Sequence, residues 1–306
     1  MSSSGSTRAI LAALFANAGI AVSKFVGYLI TGSSSMLAEA VHSVADTSNQ
    51  ALLLFGQRRA RKDATNLHQF GYGRSRYFYS FVVALVLFSL GAAFALYEGY
   101  HKISHPTPLT SPMVAVVILV VAIGLESYSF RTAMVESRPL KGRGSWWQFI
   151  RHSRNPELPV VLLEDTGALL GLIFALAGVG LTVLTGNPIW DGIGTAAIGA
   201  LLAVIAVILM VEMHSLLIGE GATAEDLAAI RGALEKTEHV DRVIHLRTQY
   251  LGPEEMLVGA KIALAPGTDL ATVAAAIDSA EAAVRAAVPV ASVIYLEPDL
   301  DRSPAR

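Results

Sequence analysis

The stretch "AEAVHSVADTSNQ", residues 38–50, lies between "TGSSSML" and "ALLLFG", inside a segment otherwise suited to lipid. Glu39, His42, Asp46 and Asn49 recur along it at intervals of three and four. At 3.6 residues per turn, that spacing puts all four on one face of a helix. Ser35 and Ser43 flank the stripe. Such a stripe cannot face hydrocarbon, where each unsatisfied polar group costs several kcal/mol. It must face other helices or water. His42 and Asp46 stand one turn apart, and an imidazole and a carboxylate so placed can ligate one divalent ion, at roughly 2.0–2.2 Å for zinc. The plainer alternative is that these groups only hydrogen-bond helices together. Four polar residues in one stripe favour the functional reading, since ionisable residues at membrane depth mark substrate pathways.

The rest of the chain fits a membrane setting. Of 306 residues, 53% are hydrophobic and 16% charged, where soluble domains carry about a quarter charged. Mean hydropathy is +0.51. The apolar excess is gathered into six runs, near 8–30, 36–55, 78–97, 113–134, 159–184 and 190–217. Each is about 20 residues or longer, enough to cross roughly 30 Å of hydrocarbon at 1.5 Å per residue. The N-terminal run has neither a charged n-region nor an A-x-A cleavage site, and it is too long for a signal h-region. It reads as a retained first span.

Basic residues crowd "GQRRARKD", "GYGRSRYF" and "ESRPLKGRGSWWQFIRHSRN". The alternate links "TGSSS", "HKISHPTPLT" and "TGNP" hold one lysine and no arginine. The positive-inside rule then predicts both termini in the cytoplasm, with Trp146 and Trp147 at the cytoplasmic interface. A plasma or inner membrane is the simple expectation. The net charge of −2 argues against a nucleic-acid partner. The absence of cysteine excludes disulfides and thiolate metal sites.

After Leu217 the character changes, and we divide the chain into a membrane domain, 1–217, and a cytoplasmic domain, 218–306. "TAEDLAAIRGALEKT" reads as a helix with Thr223 at its N-cap and Asp226 three residues on. "VIHLRTQYL" and "EMLVGAKIAL" read as strands joined at Gly252-Pro253. Leu270, Val273, Ile277, Ala280 and Val284 step by three or four, as on a helix face packed against a sheet. "ASVIYLEP" reads as a last strand. The order αββαβ predicts a small α+β, ferredoxin-like domain.

One membrane pair is insufficient to hold a metal, and the fifth span supplies the next candidates. "VVLLEDTGALLGL" sets Glu164 beside Asp165 in an apolar run. Gly167 and Gly171 form a small-xxx-small face that predicts close helix packing. Glu164 lies on or near that face, whereas Asp165 lies with Val161, Ala168 and Leu172. Lys24 and Asn17 of the first span either shape a cavity or, for Lys24, snorkel to the interface. Glu126 of the fourth span is a proton-handling or helix-pairing group.

At these residues the chain resembles the cation diffusion facilitator family of zinc and other divalent-metal transporters. "AEAVHSVADTSNQALLLFG", "HQFGYGRSRYFYSFVVALVLFSLG", "LLEDTGALLGL" and "SVIYLEPD" are most similar to the zinc transporter-9-like branch. The resemblance implies six transmembrane helices followed by the αββαβ domain, a homodimer, and efflux by metal/proton antiport through alternating access. It implies a transport site of His42 and Asp46 with Asp165. The family's fifth-span histidine corresponds to Val161, which cannot ligate. Glu164 is the first candidate for that place, with Asn17, Asn49 or a water as alternatives. A site of one histidine and carboxylates is harder than a His-rich one and discriminates less between zinc and manganese or iron.

Two further family sites are degraded here. "ATNLHQFGYG" keeps His68 but has Tyr72 at the second histidine position, and Tyr295 replaces the histidine of the last strand. His245 reads as a surface strand residue, and no metal cluster is expected in the soluble domain. His101 and His105 read as solvated residues of an outer loop. No resident cofactor and no enzymatic activity are expected. The partners implied are a divalent metal ion, protons and the bilayer. A metal-using membrane phosphotransferase would need a phosphate-binding set of Gly and Arg beside the stripe, which this chain does not carry. A metal-sensing scaffold without turnover differs from a transporter only in flux.

Overall fold

The computed structural model describes residues 19–142, 144–265 and 267–299. The beginning of the predicted first span, including Asn17, lies outside the described residues. The membrane part is built from α1 (Gly19–Thr31), α2 (Ser34–Ala60), α3 (Ser75–Ser104), α4 (Pro112–Lys141), α6 (Glu157–Thr185) and α7 (Ile189–Ile218). A short helix, α5 (Trp146–His152), stands between α4 and α6. Four of these helices are long and apolar enough to cross a membrane: α3, α4 over Pro112–Val135, α6 and α7. α2 has the length, 27 residues, about 40 Å of helix. Its polar stripe lowers its apolar content.

Local chemistry sets the helix ends. Pro112 occupies the first turn of α4, where its missing N–H costs nothing. Gly186 ends α6 in a left-handed conformation at φ 68°, which a glycine adopts without strain. α5 opens on a reciprocal capping box between Ser145 and Gln148. Within α3, residues Leu87–Ala93 form a π-helical segment.

The start of α2 is held by another helix. Asp191 of α7 is fully buried. It accepts bonds from Ser33 Oγ (2.7 Å), from the Ser34 amide (2.8 Å) and from Ser34 Oγ (3.1 Å). It therefore acts as a borrowed N-cap, and its charge suits the helix terminus. Lys102 Nζ stands 3.9 Å from its Oδ2. Small residues let α7 approach its neighbours: a Cβ on Gly99 would sit 2.6 Å from the Ala196 backbone nitrogen. Membrane helices pack closely where backbones can meet in this way.

Contacts group the chain into two compact units. One comprises the chain up to Gln57 together with Phe78–His214. The other comprises Arg58–Tyr77 together with the chain from Ser215. In the second unit, α8 (Ala224–Glu235), β1 (Val240–Gly252), β2 (Glu255–Leu264), α9 (Leu270–Ala287) and β3 (Val293–Asp299) follow the predicted order. Thr223 caps α8 through the Asp226 amide at 3.1 Å. β1 and β2 are antiparallel, β2 and β3 parallel, and β2 is central. The parallel pair requires a crossover, which α9 provides. The core joins Ile230 and Leu234 of α8, Met256, Val258 and Ile262 of β2, and Ala280 and Val284 of α9. Leu270 departs from the predicted packed face and is 83% exposed, because it is the first residue of α9, beyond the core.

The link at 58–77 packs onto the β1–β2 turn. A Cβ on Gly73 would lie 2.8 Å from the Leu251 carbonyl oxygen and 3.1 Å from Gly252 Cα. Arg76 donates to Glu254 at 3.2 Å.

Candidate metal site in the membrane helices

The stripe of α2 is inward-facing. Glu39, His42 and Asn49 are buried, and Asp46 is partly so. Each of the four meets a different neighbour. Glu39 pairs with Lys24 of α1, Nζ to Oε2 at 3.0 Å, and the same ammonium donates to Ser43 at 2.9 Å. Lys24 is fully buried, so it does not snorkel; Glu39 and Ser43 satisfy it at depth. His42 Nε2 stands 3.6 Å from Asp46 Oδ2. Asn49 donates to Glu164 Oε1 of α6 at 2.6 Å.

Asp165 points elsewhere: its Oδ2 accepts from Ser129 of α4 at 3.2 Å. The 100° between successive helix positions sends Glu164 toward α2 and Asp165 toward α4. The two glycines predicted to share a packing face also part. A Cβ on Gly171 would lie 2.6 Å from Glu39 Oε1, whereas one on Gly167 would meet Ile205 of α7 at 2.9 Å.

Asp46, Glu164 and Asp165 nevertheless line one cavity of about 40 Å³. Glu126 and Ser129 enter it from α4, Ser43 and Gln50 from α2, and Val161 forms part of the wall. Among the described residues, no three His, Asp or Glu side chains stand close enough to hold one ion as they are arranged. Three of the four predicted ligands, Asp46, Glu164 and Asp165, are therefore neighbours on a shared cavity rather than a finished chelate, and His42 reaches them through Asp46.

The stripe carries a concentrated unmet demand for polar partners. Glu39 Oε1, both ring nitrogens of His42, Asp46 Oδ1 and Asn49 Oδ1 are buried without a hydrogen bond among the described residues. Buried polar atoms are nearly always bonded, and each orphan costs about 1–3 kcal/mol. A neutral imidazole keeps one N–H, so four of these five atoms are acceptors, and four orphaned acceptors on one helix face point to a ligand that bonds to acceptors, which a cation does.

The other histidines sit apart. His68 packs edge-on to Tyr72, centroids 4.6 Å apart. His245 is exposed on β1, and Tyr295 is 61% exposed on β3. His101, in the last turn of α3 rather than in a loop, stacks on His105 at 5.1 Å.

Residues 10–218 match the family model described as the cation efflux transmembrane domain. The chain belongs to the cation efflux family. Residues 222–299 match this family's cytoplasmic domain. The human protein named proton-coupled zinc antiporter SLC30A9, mitochondrial, is 33% identical over 243 residues, 79% of this chain and 43% of its own length. Metal tolerance protein C4 of Arabidopsis thaliana is 30% identical over 261 residues, 84% of this chain and 57% of its own length. The chain thus spans about half the length of these relatives. A solved C-terminal domain of MamM is 21% identical and covers 25% of this chain and 95% of that domain, with a TM-score of 0.24.

Four features were not legible in advance: the Lys24–Glu39 pair, the Asn49–Glu164 bond, the Ser129–Asp165 bond and the Asp191 cap. A lysine in the middle of an apolar run was the signal for the first. The others join residues distant in sequence.

Proposed function

We propose that this cation efflux protein exports divalent metal ions, zinc foremost, in exchange for protons, through a site formed by His42, Asp46, Asp165 and Glu164. The orphaned acceptors on the α2 stripe carry the reading. The names of the relatives, one a proton-coupled zinc antiporter, support it. A metal needs deprotonated ligands, so loading expels protons and protonation expels metal. Imidazole is the natural carrier near neutral pH. A site that opens alternately to the two sides then couples the two flows. Asn49 donates to Glu164 and Ser129 to Asp165, and both neutral donors would yield those oxygens to a cation.

In this reading α1 and α2 also span, giving six helices. The basic links and the soluble domain share the cytoplasmic face, in a plasma or inner membrane. Two copies associate through the soluble domain. The test is metal-driven proton flux in proteoliposomes. Asp46→Ala and Asp165→Ala, in protein that remains folded, abolish flux. Unchanged flux in either refutes the site, and Glu164→Ala decides the fourth ligand.

A further inference from the structure

We infer that Glu126 of α4 is a specificity-determining residue of this site, adding an oxygen donor that admits hard divalent ions of the manganese class beside zinc. The inference rests on the transport reading above and deepens it. Glu126 lines the same cavity as Asp46, Glu164 and Asp165. It stands one turn before Ser129, on the same face of α4, and Ser129 already touches Asp165 at 3.2 Å. The face of α4 that carries Glu126 is therefore turned to the carboxylates.

Ile20 and Val161 also line the cavity and offer no donor. Glu164 has one oxygen engaged by Asn49. His42 is 1% exposed, its ring nitrogens lack a hydrogen-bond partner among the described residues, and Nε2 faces Asp46 across 3.6 Å. A cation held by Asp46 would share its cavity with Glu126, with His42 next to Asp46 on the same helix.

The donor set decides the ion. Zinc favours four ligands, with nitrogen or sulfur among them. Manganese favours six, chiefly oxygens of carboxylates, carbonyls and water. One imidazole with four carboxylates, and Ser43 and Gln50 in the same lining, is an oxygen-rich set taken from three helices. Removing Glu126 leaves fewer oxygens and tilts the set toward zinc.

The experiment compares the parent, Glu126→Gln and Glu126→Asp in full-length protein. Zinc and manganese flux are measured side by side in proteoliposomes, and Mn²⁺ binding is measured by electron paramagnetic resonance in detergent. The expected result is a manganese-to-zinc flux ratio at least about tenfold lower in Glu126→Gln, as for lost metal-site contacts, with weaker Mn²⁺ binding and recovery of both in Glu126→Asp. An unchanged ratio overturns the inference. So does an equal loss of both ions, or an Asp variant no better than Gln. Should Glu126→Gln not fold, Glu126→Asp against the parent still reads the ratio, and a shortened carboxylate that leaves it unmoved overturns the inference. A parent that carries neither ion defeats the transport reading instead. In that case the resonance arm still decides whether Glu126 contributes to Mn²⁺ binding.

Discussion

Replacing Lys24 by Met removes a fully buried ammonium that holds Glu39 Oε2 at 3.0 Å and Ser43 Oγ at 2.9 Å. At 3.0 Å and an effective dielectric of about 20, the gross attraction is roughly 5 kcal/mol. Desolvation offsets much of that, so the pair as a whole contributes little against an apolar replacement. Breaking it one-sidedly is different: the remaining buried charge costs about 3–5 kcal/mol. Glu39 is a severe case, because its other oxygen already lacks a hydrogen bond among the described residues. Lys24→Met should therefore lose about 3–5 kcal/mol, Glu39→Gln a comparable amount, and the double variant Lys24→Met/Glu39→Gln much less than the sum. Denaturant unfolding in detergent, followed by the fluorescence of the chain's three tryptophans, measures the cycle. The reasoning fails if Lys24→Met stays within about 1 kcal/mol of the parent, or if the double variant is as damaged as the two singles together.

Asp191→Ala should cost at least about 2–3 kcal/mol, because it strips the start of α2 of its cap and leaves Lys102 without its counter-charge; the unfolding midpoint of the same fluorescence assay checks this. In the soluble domain, Asp269 accepts from the Ala271 and Thr272 amides at the start of α9. The Thr272 backbone and side-chain bonds hold its carboxyl below the usual value. A depressed pKa in the folded state gives stability that is present above the unfolded value of about 3.9 and is lost as pH falls through the folded one. Asp269→Asn should flatten that acid limb, as hydrogen exchange in α9 between neutral pH and about pH 3 would report.

Much of this architecture could be read from periodicity alone. The α2 stripe was legible because its polar residues repeat at helical spacing within a single segment, and Thr223 because a cap is a local device. The site's internal pairings were not, because they join helices. Lys24 meets Glu39 fifteen positions away. Asn49 meets Glu164 across 115, and Ser33 meets Asp191 across 158. Spacing gives the face of a helix and not its neighbour. Leu270 shows the opposite limit: it keeps the period of its helix but lies one turn outside the sheet that the period serves. Glu164 and Asp165 were legible as a pair, and the structure separates them, one toward α2 and one toward α4.

The seating of Gly73 against Leu251 and Gly252 bears on how this protein can be cut and recombined. The backbone there is too close for any β-carbon, so the 58–77 link and the β1–β2 turn constrain each other's residue choice although some 180 positions separate them. A chimera that exchanges only the C-terminal domain with a relative would bring a foreign turn against a native link. Exchanging 58–77 together with the domain keeps the seat intact. For the same reason, an excised fragment beginning at 218 exposes a surface that the whole chain covers.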